Sequence, residues 1–140
     1  MTPVNRSARK ESIMRELLFV GCGGFAGAVS RWLLTRLASV TIPDATFPVG
    51  TLLVNAIGCF AIGLVVEATD LSSPNASHVD HAIVIGFLGG FTTFSAFTHE
   101  TVDHFANGNT TVAVLNVVVS LALCGAGVVL GRKLACMIGA

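Results

Sequence analysis

Apolar positions run along this chain in four long uncharged stretches instead of alternating with polar ones. Residues 17–30 form the first, which continues past Arg31 and Arg36 to about residue 40; residues 45–66, 82–98 and 105–131 form the others. A helix rises about 1.5 Å per residue and the hydrocarbon core of a bilayer is about 30 Å thick, so about 20 residues make one crossing. Four crossings fit and five do not. Helices keep their backbone hydrogen bonds inside the segment, as lipid demands, and the polar alternation of barrel strands is missing. The pattern predicts an all-α integral membrane protein, a single domain 1–140 with spans at about 16–40, 46–67, 82–105 and 111–134 and a disordered tail at 1–12. Turn formers separate the spans: Thr41-Ile42-Pro43-Asp44, then 70–75, then Asn107-Gly108-Asn109.

Composition narrows the partners. With 53% hydrophobic and 11% charged residues and a mean hydropathy of +0.79, the chain carries too little charge for a water-exposed domain of 140 residues. Eight basic residues balance eight acidic ones, so neither disorder nor a nucleic-acid partner fits, and the lipid bilayer is the partner implied. Cys22, Cys59, Cys124 and Cys136 form no CxxC pair and read as small buried apolar residues. The basic tail Arg6, Arg9, Lys10, Arg15 leads into the first apolar stretch without a clear cleavage site, so that span reads as retained. With four spans both termini share a side. That side holds Arg6, Arg9, Lys10, Arg15, Arg132 and Lys133 against at most Arg31 and Arg36 opposite, six against two, which favours a cytoplasmic N-terminus.

The third span is unlike the rest. It holds Gly89-Gly90 and Thr92-Thr93 in mid-membrane, where neither pair helps a helix continue, and a helix broken near 89–93 is predicted. A break frees carbonyls at the end of the first half and N–H groups at the start of the second, which suit a small cation and an anion respectively. The other reading is a glycine seam for helix packing, with the hydroxyls bonded back to their own helix. Small-xxx-small pairs elsewhere, Gly23/Gly27, Gly86/Gly90 and Gly127/Gly131, imply close helix packing within and between subunits. In the second half of the third span, Phe94 and Phe97 share one face, as do Ser95 and Thr98, so two aromatic edges run beside a polar strip. Asn55 is the single strongly polar side chain deep in the second span, a helix-to-helix bond or part of a polar pathway. Asn116 and Ser120, four apart in the fourth span, form a second strip open to the same two readings.

Other motifs carry less. Gly21-Cys22-Gly23-Gly24-Phe25-Ala26 matches a dinucleotide fingerprint but lacks any strand and helix alternation around it. His99-Glu100-Thr101-Val102-Asp103-His104 misses zinc-protease spacing by one residue, so no enzyme is expected. His78 and His81 read as solvated loop residues.

Three strings together resemble the Fluc (CrcB) family of fluoride channels over about residues 16–134: 23–31 (GGFAGAVSR), 50–60 (GTLLVNAIGCF) and 86–97 (GFLGGFTTFSAF). The resemblance implies a passive fluoride channel of a bacterial-type plasma membrane. It would work as an antiparallel, dual-topology dimer with two pores and a central structural sodium ion (Na+) on the backbone carbonyls of Gly89 and Thr92. It further implies Phe94 and Phe97 as pore rings, Asn55 as a pore amide, Ser95, Thr98 and Ser120 on or near a hydroxyl track, Arg31 in a vestibule and Glu100 beyond the rings. Asn116 stands where the family usually has a tyrosine, and Ala96 where it usually has a threonine. The uneven charge count leaves a homologous partner subunit as the alternative to a second copy. Two other functions compete. A proton-coupled multidrug exporter of four helices needs a deep carboxylate, whereas Glu16, Glu67 and Glu100 fall at predicted span ends; a non-conducting structural subunit needs none of these groups.

Overall fold

The computed structural model describes residues 6–43, 45–69 and 77–139. All regular structure among them is helical. Helix α1 runs Arg6–Thr41 and α2 runs Val49–Ala68. Helix α3 covers 78–91 as one turn His78–His81, a π-helical stretch Ala82–Leu88 and a last α turn Gly89–Phe91. Helices α4 (Phe94–Ala106) and α5 (Thr110–Ile138) complete the chain. Four segments are long and apolar enough to cross a bilayer: Lys10–Thr41, Val49–Glu67, His78–Ala106 and Thr110–Ile138. The chain is a multi-pass membrane protein.

The third span is interrupted. Thr92 and Thr93 are extended (φ −78°, ψ 160° and φ −150°, ψ 119°), and helix resumes only at Phe94. Thr93 starts the second half as its N-cap, its hydroxyl accepting from the Ala96 N–H at 3.2 Å, the role for which threonine is well suited. The first half begins on a capping box in which the Ser77 N–H donates to the Asp80 carboxylate at 2.8 Å and the Asp80 N–H to Ser77 Oγ at 3.1 Å.

Residues 6–12 of the segment 1–12, read from sequence as a tail, are helical. Helix α1 already exists at Arg6, and residues 1–5 lie outside the described residues. The run from Ala8 to Glu16 consists almost wholly of good helix formers without Gly or Pro, and once the span has nucleated a helix, adding turns costs little. His78 and His81 also belong to helix α3, not to a loop. His78 stacks on Phe19 with centroids 6.0 Å apart, and His81 Nδ1 lies 3.6 Å from the Glu16 carboxylate. The predicted turn at 70–75 lies outside the described residues. The Asn107-Gly108-Asn109 turn is present, and Gly108 supplies the positive φ (79°) that it requires.

Helices pack in two pairs, α1 on α3 and α2 on α5, with fewer contacts linking the pairs. Glycine sets both seams. A Cβ at Gly27 would strike the backbone of Phe87 and Phe91, one at Gly90 the backbone of Gly24, and one at Gly131 the backbone of Phe60 and Leu64. Lipid tails are as apolar as leucine, so association rests on such close contact and not on expulsion of water. The fully buried apolar set is accordingly small, Val54 and Ala135 at its centre, while Leu17, Leu37, Leu121 and many others face outward. Gly27→Ala should therefore lower the thermal midpoint in detergent, at a cost of about 1–3 kcal/mol. Gly21→Ala, which meets nothing within 4 Å, should not lower that midpoint when both are scored by the fraction still monodisperse after heating.

Candidate functional site

The interruption of the third span is the structural centre of the site. Asn55, projecting from α2, spans it with two hydrogen bonds: its Oδ1 accepts from the Thr93 N–H at 2.8 Å and its Nδ2 donates to the Thr93 carbonyl at 3.0 Å. Both backbone groups of the residue that leaves the helix are thus satisfied by one amide, which in a water-poor interior would otherwise cost about 1–3 kcal/mol each.

The carbonyls of Gly89 and Thr92 are among those that lose their helical partners at the break. The Thr93 N–H that would close on Gly89 goes to Asn55, and the Ala96 N–H that would close on Thr92 goes to Thr93 Oγ1. Arg31 of α1 donates from a guanidinium nitrogen to the Thr92 carbonyl at 3.1 Å. Gly89 is exposed on the protomer surface, and a Cβ there would find its nearest neighbour, the Val84 carbonyl, 3.9 Å away.

Two cavities flank the break, and Thr93 lines both. The larger, of about 820 Å³, includes Arg31, Thr51, Ser95, Ala96, His99 and Glu100. In it, Thr51 donates to one Glu100 oxygen at 2.6 Å, and the other Glu100 oxygen is buried with no hydrogen-bond partner among the described residues. The smaller, of about 330 Å³, includes Asn55, Gly89, Thr92, Phe94, Phe97 and Ser120. The rings of Phe94 and Phe97 lie 5.6 Å apart, tilted by 44°, and Phe94 is 78% exposed on the protomer.

The strip of Ser95 and Thr98 divides. Ser95 faces the larger cavity, its hydroxyl 3.2 Å from that of Thr93, whereas the Thr98 hydroxyl bonds back to the Phe94 carbonyl at 2.9 Å and lines neither cavity. Asn116 also lines neither. It is 2% exposed and donates to Thr101 Oγ1 at 2.8 Å, while its Oδ1 accepts from Ser120 at 3.3 Å. Thr101 in turn donates to the Phe97 carbonyl at 2.7 Å, so a continuous chain of hydrogen bonds joins Ser120 to the backbone of a ring residue.

This geometry sits on a chain whose residues 18–132 match the family model described as CrcB-like protein, Camphor Resistance (CrcB). The chain belongs to the CrcB family. Curated relatives of the family include the fluoride-specific ion channel FluC of Ruminiclostridium cellulolyticum, 41% identical over 122 residues, 87% of this chain and 93% of the relative. A protein of the same name from Geobacter sulfurreducens is 40% identical over 125 residues, 86% of this chain and all of the relative. Another from Clostridium perfringens is 38% identical over 118 residues, 84% and 91% of the two chains.

Residues outside the sequence-based set complete this CrcB site. Thr51 holds the Glu100 carboxylate and lies four positions before Asn55, one turn along the same face of α2. Thr93 carries the break through its backbone and its cap, and Thr101 carries the link from Asn116 to Phe97. Only Thr51 had a spacing signal; backbone partners such as that of Thr93 leave none. Cysteine readings also shift: Cys22 and Cys136 are exposed and Cys59 and Cys124 only half-buried.

Asn55→Leu should strip both partners from Thr93 and raise amide hydrogen exchange across 92–96 at least tenfold, one decade for each about 1.4 kcal/mol lost. Asn55→Asp retains the acceptor but sets a carboxylate against the Thr93 carbonyl, and exchange should rise there as well. Unchanged exchange in both variants would show that the clasp does not hold the break.

Proposed function

We propose that this chain is a passive, fluoride-selective channel that lets cytoplasmic fluoride leave a bacterial cell across its plasma membrane. The observation that carries the reading is the junction of Asn55, Phe94 and Phe97 at one cavity beside a helix break, in a chain of the family whose relatives bear the name fluoride-specific ion channel. Fluoride is small and strongly hydrated, so a path must replace its water with donors that do not hold it. Asn55 has one N–H left after bonding Thr93, Ser120 adds a hydroxyl, and the edges of the two Phe rings carry partial positive charge. Arg31 and Glu100 border the wider cavity, which serves as the vestibule.

The path is completed by a second chain. Phe94 is largely exposed and Gly89 opens outward, so in this reading an antiparallel copy, or a homologous subunit, covers both and closes two pores. Sodium fits the break: Gly89 and Thr92 offer carbonyls without helical partners, two oxygens from each chain, and a carbonyl has two lone pairs, so Arg31 leaves Thr92 one to give. Bound there, the ion would supply a fixed positive charge at the break. The exporter reading needs a carboxylate that cycles with substrate; family membership favours the channel.

Liposomes carrying the purified chain alone test this directly. Fluoride should leave rapidly with chloride retained, and Phe94→Ile should slow fluoride at least tenfold while the elution volume in detergent is unchanged. Equal loss of both halides, or a Phe94→Ile variant as fast as the parent, would overturn the channel reading. Flux restored only by adding a homologous chain would assign the partner.

A further inference from the structure

Two of the four cysteines face each other across the α2 and α5 seam. Cys59 and Cys124 line the same smaller cavity, and the Cys124 thiol lies beside that of Cys59. Backbone packing explains the approach: a Cβ at Gly127, one turn after Cys124 on the same face of α5, would stand 3.6 Å from the Cys59 Cβ, so glycine brings the helices together here. Both thiols are free and half-buried. Neither the break nor the Asn55 clasp uses them.

We propose that Cys59 and Cys124 form a chelating dithiol site for a soft divalent cation, with Hg2+ as its probe, in the wall of the cavity that also holds Asn55, Phe94 and Phe97. Thiolate is the soft ligand among protein groups. No third His, Cys, Asp or Glu joins the pair among the described residues. Zinc, which takes four ligands in closed sites, is therefore poorly served, whereas Hg2+ is satisfied by two sulfurs in line. Charge selects the valence. Two S–H bonds break, two Hg–S bonds form and two protons leave to solvent with no electron transferred, so the product is neutral. A monovalent cation on the same two thiolates leaves one negative charge in a wall lined by Ile62, Leu88 and Leu121, where an unpaired charge is costly.

The full chain in detergent, with Cys22→Ser and Cys136→Ser to remove the two exposed thiols, provides the test. One equivalent of Hg2+ should raise the intact mass by one mercury less two protons, block both remaining thiols from maleimide, and survive a wash in excess monothiol, which strips singly bound mercury. Adding Cys59→Ser or Cys124→Ser should abolish the wash-resistant adduct, with an unchanged elution profile reporting an intact fold. Mercury lost in the wash from the two-thiol chain, or retained after either serine replacement, would overturn the site. Occupation should also stop fluoride loss from liposomes, a consequence that rests on the channel reading. A chain that holds mercury through the wash yet, metal-free, passes no fluoride alone or with a homologous chain supports the thiol pair and counts against the channel.

Discussion

Everything distinctive in this molecule depends on one amide holding one peptide unit. A helix that stops in mid-membrane leaves carbonyls and N–H groups that water cannot reach, and lipid tolerates them only when protein satisfies them. Asn55 does so for Thr93 with a donor and an acceptor on separate atoms, whereas a hydroxyl carries both on one oxygen and an ionised carboxylate only accepts. Because its amide takes the Thr93 N–H, the Gly89 carbonyl is freed; because Thr93 caps its own helix, the Thr92 carbonyl is freed. The break is thus a built feature with assigned partners, and the release of the Gly89 and Thr92 oxygens from the helix follows from those assignments.

The same constraint explains the glycines. Asn55 reaches Thr93 only if α2 lies close to the third span, and Gly58, three positions further along α2, faces the Thr92 side chain so closely that a Cβ there would collide with it. Glycine in mid-helix costs about 1 kcal/mol relative to alanine, and four in the first span and three in the third would make a poor helix in water. In lipid, where a helix cannot exchange its hydrogen bonds for water, that penalty is outweighed by the contact it permits. The two readings open for the third span, seam and break, therefore coexist: Gly86 and Gly90 make the seam with α1, while Gly89 stands clear of it at the start of the break.

How much was legible in the sequence follows from which signals are local. Span number, helix type and the interruption near 89–93 are written in apolar runs and in adjacent Gly-Gly and Thr-Thr pairs. Asn55 was legible as an expensive group needing a partner; that the partner is a backbone was not, since every residue has the same N–H and carbonyl. The strip of Asn116 and Ser120 was legible from its spacing of four, but its direction was set by Thr101, fifteen residues before Asn116, and a helix pattern does not specify which neighbour it meets. Thr98 and Ser95 share a helical face, yet the Thr98 hydroxyl bonds to its own helix while Ser95, with Thr93 as its partner, faces the larger cavity. Helix at 6–12, within the segment 1–12 read as a tail, shows that polar residues do not stop a helix when they are good helix formers attached to a nucleated span.

Charge placement closes the argument about what the cavities suit. Arg31 and Glu100, the charged groups nearest the break, both border the wider cavity, and each is already engaged, the guanidinium with the Thr92 carbonyl and the carboxylate with Thr51. Around the narrower cavity stand an amide, hydroxyls, two thiols, aromatic rings and aliphatic side chains, none bearing formal charge at neutral pH. At 4 Å a unit charge acts on another with about 4 kcal/mol at an effective dielectric of 20, roughly three decades in dwell time for an ion that must leave again. A cavity lined by neutral donors avoids that trap while still offering hydrogen-bond partners, and the charges beside the larger cavity would act on an ion without holding it in the smaller one. An anion seated beside Phe94 and Phe97 would thus meet many weak contacts and no strong one.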